Sequence, residues 1–279
     1  MRNTGGRTFG PGDIVLLLIS VIIALAFLVP VIWAFFVSLK FEGSPVRSAF
    51  DWFKPPYTMS NYPGIIFNSK VPVWFINSVI IAVAATLLCM LLSALAAYPL
   101  AKMRFIGKNK VYFYFLMGLM VPTEATIVPL FITANSLYLI DNYAGMILPM
   151  IAGSMNLIIM TSFFKGIPND LIEAAQIDGA RNFTIFARVI LPLSKTVLVT
   201  VSIFAFIGSW NNYLWPLLCA MSERMFTLPV GIPTLMNFYT IDYVIPSTAN
   251  MVASIPAIVV FLIFERQITQ GIALSGIKG

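Results

Sequence analysis

Two adjacent amides stand beside aromatic side chains in an otherwise apolar part of this chain. Asn211 and Asn212 are preceded by Trp210 and followed by Tyr213. An amide both donates and accepts hydrogen bonds, and aromatic faces suit the flat apolar surface of a ring. The group therefore suits a hydroxyl-rich ligand such as a sugar. The alternative is structural, because Asn also bonds neighbouring membrane helices and Trp and Tyr populate the membrane interface.

Two further polar residues lie within apolar stretches. Glu124 stands between Pro122 and Pro129 near the middle of one stretch, and Asn156 lies in "GSMNLIIM". A carboxylate is costly to expose to lipid, so Glu124 is expected to face other helices or a watery path. It would then line or gate that path, or it would be a structural acid beside the proline kinks. Asn156 carries the same two interpretations.

The residue types of most enzyme chemistry are missing. The chain has no His, the usual proton shuttle and metal ligand, and its two cysteines, Cys89 and Cys219, are too far apart in sequence to suggest a disulfide framework. It has no G-x-x-x-x-G-K-[ST] phosphate loop, so any ATP is hydrolysed elsewhere. We expect no enzyme activity, no metal site and no cofactor in this chain.

The composition is that of an all-α integral membrane protein, with 59% hydrophobic and 10% charged residues. A membrane-spanning helix needs roughly 20 consecutive apolar residues. Uncharged runs of that length occupy residues 14–39, 71–101, 142–164, 196–222 and 243–264. We add a sixth span over 111–133, interrupted by Glu124, because leaving it out would put basic segments on opposite faces of the membrane.

The basic residues predict the orientation of these spans. Most of the 17 Lys and Arg residues fall on one side, and cytoplasmic loops carry such an excess. Both termini are therefore predicted in the cytoplasm. The net charge of +6 is an orientation signal and no evidence for a nucleic-acid partner, although the same residues could contact anionic membrane lipids.

A polar segment on the predicted inner side, residues 168–195, is patterned as two short helices. Asn169 is the predicted N-cap of the first, with acids in its first turn, and Gly179 is placed to stop it. Asn182 is the predicted cap of the second, which presents Phe183 and Phe186 and ends at Pro192. Three interpretations remain open: a connector between spans, a lipid contact through Arg181, Arg188 and Lys195, or docking of small residues and aromatic knobs into a partner's groove.

Several stretches carry a resemblance to a known family. "EAAQIDGA", followed after a dozen residues by "LP", resembles the cytoplasmic EAA signature of permease subunits in binding-protein-dependent ABC importers. "VPTEATIVPLF", "SWNNYLWPL" and the terminal "GIALSGIKG" resemble the oligosaccharide-type branch, and in particular the shorter maltose-type permease subunit. The resemblance runs from the second span onward and is weaker over residues 1–70.

The resemblance implies roles and partners. Residues of the inner segment would form coupling helices that seat in a cleft of a cytoplasmic ATPase subunit: Glu173, Ala174, Ala175, Asp178, Gly179, Phe183, Phe186 and Pro192. Two such subunits would bind ATP and Mg, a second related permease subunit would complete the path, and an external binding protein would deliver a sugar or oligosaccharide. The outer loop 222–247 would contact that binding protein, and the tail 271–279 would reach between the ATPase subunits.

We therefore expect a multi-pass protein of the bacterial inner membrane that works by alternating access. Residues 1–13 form an inner arm, 14–271 the six-helix domain with its coupling loop (168–195), and 272–279 an inner tail. The alternative is an ion- or proton-coupled secondary transporter, which predicts paired ionisable groups and inverted repeats. A scaffold without transport would leave Glu124 and the amides unexplained.

Overall fold

The computed structural model describes residues 10–44, 50–236 and 242–276, and these ranges contain helices and no strand. The α-helices are α1 (Pro11–Ser38), α2 (Asn61–Phe67), α3 (Val71–Lys102), α4 (Lys108–Gly118), α5 (Thr123–Ser136), α6 (Tyr143–Ile147), α7 (Ser154–Gly166), α8 (Asp170–Ile177), α9 (Asn182–Ile185), α10 (Leu191–Leu193), α11 (Lys195–Trp210), α12 (Leu214–Cys219), α13 (Leu228–Gly231) and α14 (Val244–Gly276). Single 3₁₀ turns cover Asp51–Phe53, Leu148–Ile151, Glu223–Met225 and Ile232–Leu235, and Phe186–Ile190 is π-helical.

Within the described residues, three helices are long and apolar enough to cross a membrane: Gly12–Ser38, Val71–Lys102 and Val244–Glu265. Three further pairs meet the same criterion but are bent, by 100° between α4 and α5, by 44° at residues 152–153, and by 81° at Ser194. If each bent pair is one span, the described residues contain up to six candidate spans, the number predicted, although the last bent pair starts at Asn182 and so includes part of the predicted inner segment. The all-α membrane class is confirmed.

One compact unit combines residues 1–69 with 235–252. Its centre is aromatic: Phe36 contacts the rings of Trp52, Phe53 and Tyr57 edge-on or tilted. The predicted outer loop 41–72 contains one short helix, α2, whose Asn61 amide donates to the backbone oxygen of Lys40 at 2.7 Å. Residues 45–49 of this loop, and 1–9 of the predicted inner arm, lie outside the described residues.

The second unit covers residues 70–234 and 253–279 and is built around α3. This helix packs against α7 and α11 along much of its length. The buried face of α3 is rich in small residues, among them Ala82, Ala85, Ala94 and Ala97. Small side chains let membrane helices approach closely, where the hydrophobic effect gives no drive for association.

Two predicted spans contain breaks that change the position of a site residue. The third span stops at Gly118 and restarts at Thr123, so Glu124 lies in the first turn of α5 and not in the middle of a helix. The fifth span stops at Trp210 and restarts at Leu214, so the paired amides lie in the gap. At the C-terminus, α14 continues through Gly276, five residues into the predicted tail, and 277–279 lie outside the described residues.

Candidate functional site

The segment 168–195 forms a helical hairpin with one face buried against α3. Ile172, Ile185 and Ile190 lie in the same apolar cluster as residues of the C-terminal end of α3. Phe186 belongs to it as well: only 4% of the side chain is exposed, and its ring centroid lies 5.4 Å from that of Tyr98. The prediction that Phe186 is an exposed knob is therefore wrong. Its ring anchors the hairpin to α3.

The opposite face of the hairpin is exposed and carries the signature residues. Glu173, Ala174, Asp178 and Gly179 are exposed, and Ala175 is half-buried. Phe183 is 71% exposed, as expected of an aromatic knob. Sequence reasoning missed Ile177, which is 87% exposed beside the tip. The sequence pattern could have identified it, because an isoleucine outside the apolar stripe of an amphipathic helix does not pack into the core.

Gly179 makes the turn between the two arms of the hairpin. Its φ is +79°, which L side chains rarely adopt. The amide of Gly179 donates to the oxygen of Gln176 at 3.0 Å, and that of Ala180 donates to the oxygen of Ala175 at 2.9 Å. These bonds close the C-terminus of α8 in the manner of a left-handed glycine cap. The predicted helix stop with positive φ is confirmed.

Three other local predictions need correction. Asn169 is the N-cap of α8, as predicted, but its side chain makes no capping bond, and its Oδ1 accepts instead from Nζ of Lys102 at 2.8 Å. Asn182 is the first residue of α9, because Arg181 occupies the capping position. Pro192 lies one residue before the end of the second arm, because the helix runs from Asn182 to Leu193 and the chain bends at Ser194.

Lys102 holds the joint between α7 and the hairpin. It is the last residue of α3, and its ammonium donates to the backbone oxygen of Ile167 as well as to Asn169. Ile167 is the C-cap of α7 and Asn169 precedes α8, so one side chain bridges the whole joint. A lysine suits this position because its three donors can serve several acceptors at once.

The four predicted residues of the fifth span divide into two pairs. Trp210 is buried and stacks on Phe206, and Asn212 accepts a bond from the amide of Trp215 at 3.2 Å, which helps to start α12. These two side chains have structural contacts. Asn211 and Tyr213 are exposed. They are the ones available to a ligand.

Asn156 and Glu124 do not join them in one cluster. Asn156 donates to Sγ of Cys89 at 3.0 Å, whereas Trp210 contacts Phe75 edge-on. Both partners lie on α3, about 21 Å apart along the helix at 1.5 Å per residue. Glu124 is exposed in the first turn of α5, where the helix dipole favours an acid. The residues predicted to line the substrate path therefore lie at different positions along the helices and do not form one site.

A buried polar network ties residues 223–228 to the N-terminal end of α3. Asn77, only 2% exposed, donates to the backbone oxygens of Arg224 and Phe226, both at 2.8 Å, and accepts from the hydroxyl of Tyr143 at 2.6 Å. Nε1 of Trp74 donates to the oxygen of Glu223 at 3.0 Å, and the amide of Leu228 donates to Oγ of Ser78 at 2.8 Å. Sequence reasoning missed this network, since most of its bonds join α3 side chains to backbone groups about 150 residues away.

Asp141 fixes the neighbouring turn. Its carboxylate accepts from the amides of Met221 and Ser222, both at 2.9 Å, and from the Ser222 hydroxyl. Partial burial raises the pKa of this carboxyl, but the bonds from Ser222 and Met221 outweigh that effect and leave the pKa below its ordinary value. Asp141 is therefore ionised at neutral pH, and it holds its own turn against residues 221–222.

Among the described residues, no group of three or more His, Cys, Asp or Glu side chains is placed to hold a metal ion. Two surfaces of the described residues expose groups that suit a partner or a ligand. They are the hairpin 168–195 and the amide gap, which is the break between helices at residues 211–213.

Comparisons with known proteins point to one family. The family described as "Binding-protein-dependent transport system inner membrane component" matches residues 90–274. The arabinooligosaccharides transport system permease protein AraQ of Bacillus subtilis is 33% identical over 95% of this chain and 96% of its own length. The trehalose transport system permease protein SugB of Mycobacterium tuberculosis is 35% identical over 90% of this chain and 93% of its own.

The fold has a counterpart among solved structures. A chain from the crystal structure of a bacterial ABC transporter involved in the import of the acidic polysaccharide alginate superposes with a TM-score of 0.81. The superposition covers 93% of this chain and 98% of that one, at 23% sequence identity. At this identity the likeness concerns the fold alone.

Proposed function

Since this chain belongs to the binding-protein-dependent transport system inner membrane components and is a permease subunit of an ABC importer of the sugar and oligosaccharide type, we propose that its hairpin 168–195 docks onto a cytoplasmic ATPase subunit. The chain is a non-enzymatic, multi-pass component of the inner membrane without a cofactor of its own, and ATP binds to the ATPase subunits. The hairpin would transmit the closure of those subunits to the spans.

The observation that carries this proposal is the unequal exposure of the hairpin's two faces. Its inner residues are anchored on α3, while Ile177 and Phe183 stand exposed beside Glu173 and Asp178. Large apolar side chains exposed on a polar surface indicate an interaction site. Small Ala174 beside them would allow a partner's backbone to come close. The connector interpretation does not explain the exposed isoleucine and phenylalanine, and the lipid interpretation does not explain the two acids.

Co-purification tests this docking. The double variant Ile177→Ser with Phe183→Ser removes both knobs without touching a buried side chain, so the permease should still insert. We expect its ATPase subunits to be lost on purification. Ile106→Ser, which changes a fully exposed isoleucine outside the hairpin, is the matched control and should keep them. Full retention by the double variant would refute the docking proposal and favour a connector or an ATP-independent carrier.

For the substrate, we propose a neutral sugar or oligosaccharide that passes Asn211 and Tyr213 between this chain and a second, related permease subunit. Support comes from the two exposed side chains in the helix gap and from relatives named for arabinooligosaccharides, trehalose and lactose transport. A relative named for sn-glycerol-3-phosphate transport marks the competing class. Uptake of labelled trehalose, arabinooligosaccharides and glycerol-3-phosphate by the assembled transporter separates the two classes.

For the orientation, we propose cytoplasmic termini, an inner hairpin and an outer loop 222–247 that faces the binding protein; residues 237–241 of this loop lie outside the described residues. The support is the distribution of Lys and Arg. A cysteine at Met221, which is 64% exposed, should react with an impermeant thiol reagent added outside intact cells. A cysteine at Asn109, also exposed, should not. The opposite labelling pattern would reverse the orientation.

A further inference from the structure

Helix α3 contacts both of the surfaces that are proposed to face protein partners. We propose that α3 transmits the state of the outer segment 223–228 to the coupling hairpin, with Asn77 and Lys102 as the positioning residues at its two ends. The inference rests on the proposed docking of the hairpin to an ATPase subunit. It adds residues outside the signature sequence to the coupling machinery.

The inner end of α3 holds both arms of the hairpin. Lys102 bridges the joint before the first arm through its bonds to Ile167 and Asn169. One turn earlier, the ring of Tyr98 lies against Phe186 in the second arm. A displacement of this last turn should therefore move the hairpin with it, because each arm is tied to α3 by one of these contacts.

The outer end is held as tightly. Asn77 donates both amide hydrogens, to the backbone oxygens of residues 224 and 226, and its amide oxygen accepts from residue 143. Trp74 adds a bond to residue 223 and closes over Gly231, where an added Cβ would lie 2.3 Å from the indole ring. The outer segment is thus fixed to α3 by directional bonds and by steric fit, and it has little freedom to move separately.

The two ends are joined by one continuous helix. Ser78 and Tyr98 are 20 positions apart in α3, which is a distance of about 30 Å at 1.5 Å per residue. This is about the thickness of the hydrocarbon core. Coupling over such distances is carried by rigid elements that both sites displace. The fifth span, in contrast, is broken at residues 211–213, so it offers no continuous helix between the same two surfaces.

The test is made in the complete transporter, reconstituted with its ATPase subunits and its binding protein loaded with the best ligand of the uptake panel. The readout is the ratio of ATP hydrolysis with and without binding protein, together with retention of the ATPase subunits. We expect Lys102→Met to lower the ratio about tenfold, the factor corresponding to one charge-assisted hydrogen bond, while the subunits are retained. Lys102→Arg should restore most of the ratio, because it keeps a charged donor.

The outer end is tested in the same assay. Asn77→Leu leaves two backbone oxygens and a hydroxyl without their partner, so it is paired with the milder Tyr143→Phe, which removes one bond. Both should lower the ratio, and each double variant with Lys102→Met should be no worse than the more severe single variant, as expected for one path. Lys110→Met, which changes an exposed residue of the inner turn, is the control and should change the ratio less than twofold.

The outcomes separate this inference from the proposed function. If Glu173→Lys abolishes stimulation while Lys102→Met and Tyr143→Phe leave it intact, the hairpin couples but α3 does not transmit, and the inference is overturned. If Lys102→Met releases the ATPase subunits, Lys102 serves docking and the inference is again wrong. If Glu173→Lys also has no effect, the docking proposal itself fails.

Discussion

The hairpin and the segment 223–228 are both short connections anchored on α3, yet they differ in what they leave exposed. The segment 223–228 uses its backbone oxygens internally, on the side chains of Trp74 and Asn77. The hairpin buries one face and exposes Ile177, Phe183 and two acids on the other. A surface with internally satisfied polar groups can hold a position alone, whereas the exposed hairpin face calls for a partner. The two regions should therefore respond to substitution in different ways.

The largest effect should come from Gly145→Ala, beside the outer network. A Cβ at this position would lie 1.7 Å from the backbone oxygen of Leu139, which no rotamer change can relieve. We expect a loss of stability of about 3 kcal/mol or more, seen as a lower thermal midpoint or as failure to accumulate in the membrane. Gly166→Ala, where a Cβ would meet nothing within 4 Å, is the control. Equal stability of the two variants would mean that the turn at residue 139 is not rigid.

Substitutions at the exposed hairpin face should act on coupling more than on stability. Gly179→Val forces a branched residue into φ +79° at a cost of about 1–2 kcal/mol. Glu173→Lys puts a positive charge near the start of α8 and at the proposed contact. In both variants the spans should insert, but the ATPase subunits should dissociate or fail to respond to loaded binding protein. Lys110→Gln is the control. If loaded binding protein stimulates ATP hydrolysis normally in both variants, the exposed face of the hairpin has no special role in coupling.

The amide gap sharpens the comparison within one stretch of chain. Asn212→Ala removes the bond to the amide of Trp215 and should cost about 1 kcal/mol of stability. Asn211→Ala removes an exposed side chain, so it should lower sugar uptake without a change in thermal midpoint or in retention of the ATPase subunits. If uptake is normal in Asn211→Ala, the sugar passes elsewhere. If the two variants are equally stable, the Asn212 bond contributes nothing.

The smallest effect is expected at Asp141. Its hydrogen bonds hold the folded-state pKa below the ordinary 3.8, so its contribution to stability is present above about pH 4. That contribution is lost as the pH falls through the folded-state pKa. Asp141→Asn should therefore lower the thermal midpoint slightly at pH 7, and the gap between variant and parent should narrow below pH 4. A gap that is independent of pH would show that charge plays no part in this turn.

The structure bears out the features that depend on local pattern. Long uncharged runs can only be helices in a membrane, since each backbone polar group must be satisfied within the segment. Gly179 was predictable because only glycine adopts a positive φ without strain at a helix end. The polar face of the hairpin followed from its charges.

The errors fall where a side chain had more than one possible partner. Phe183 and Phe186 are three residues apart and look equivalent in sequence, but only Phe186 meets Tyr98. Asn169 is a good capping residue, yet a lysine 67 residues earlier in the chain takes its oxygen. In both cases the deciding contact is with a residue that is distant or unrelated in the local pattern, so local preference did not reveal it.

The class of protein, the number of candidate spans, the hairpin with its glycine turn and the family resemblance could all be read from the amino-acid sequence. Those properties depend on hydropathy, charge and backbone preference, which act over a few residues. Only the tertiary structure decided which face of the hairpin is buried, that Asn211 is exposed while Asn212 is engaged, and that α3 holds residues 223–228 at one end and 167–169 at the other. Those properties depend on contacts between residues up to about 150 positions apart, whose geometry exists only once α3, α7 and α11 have packed together.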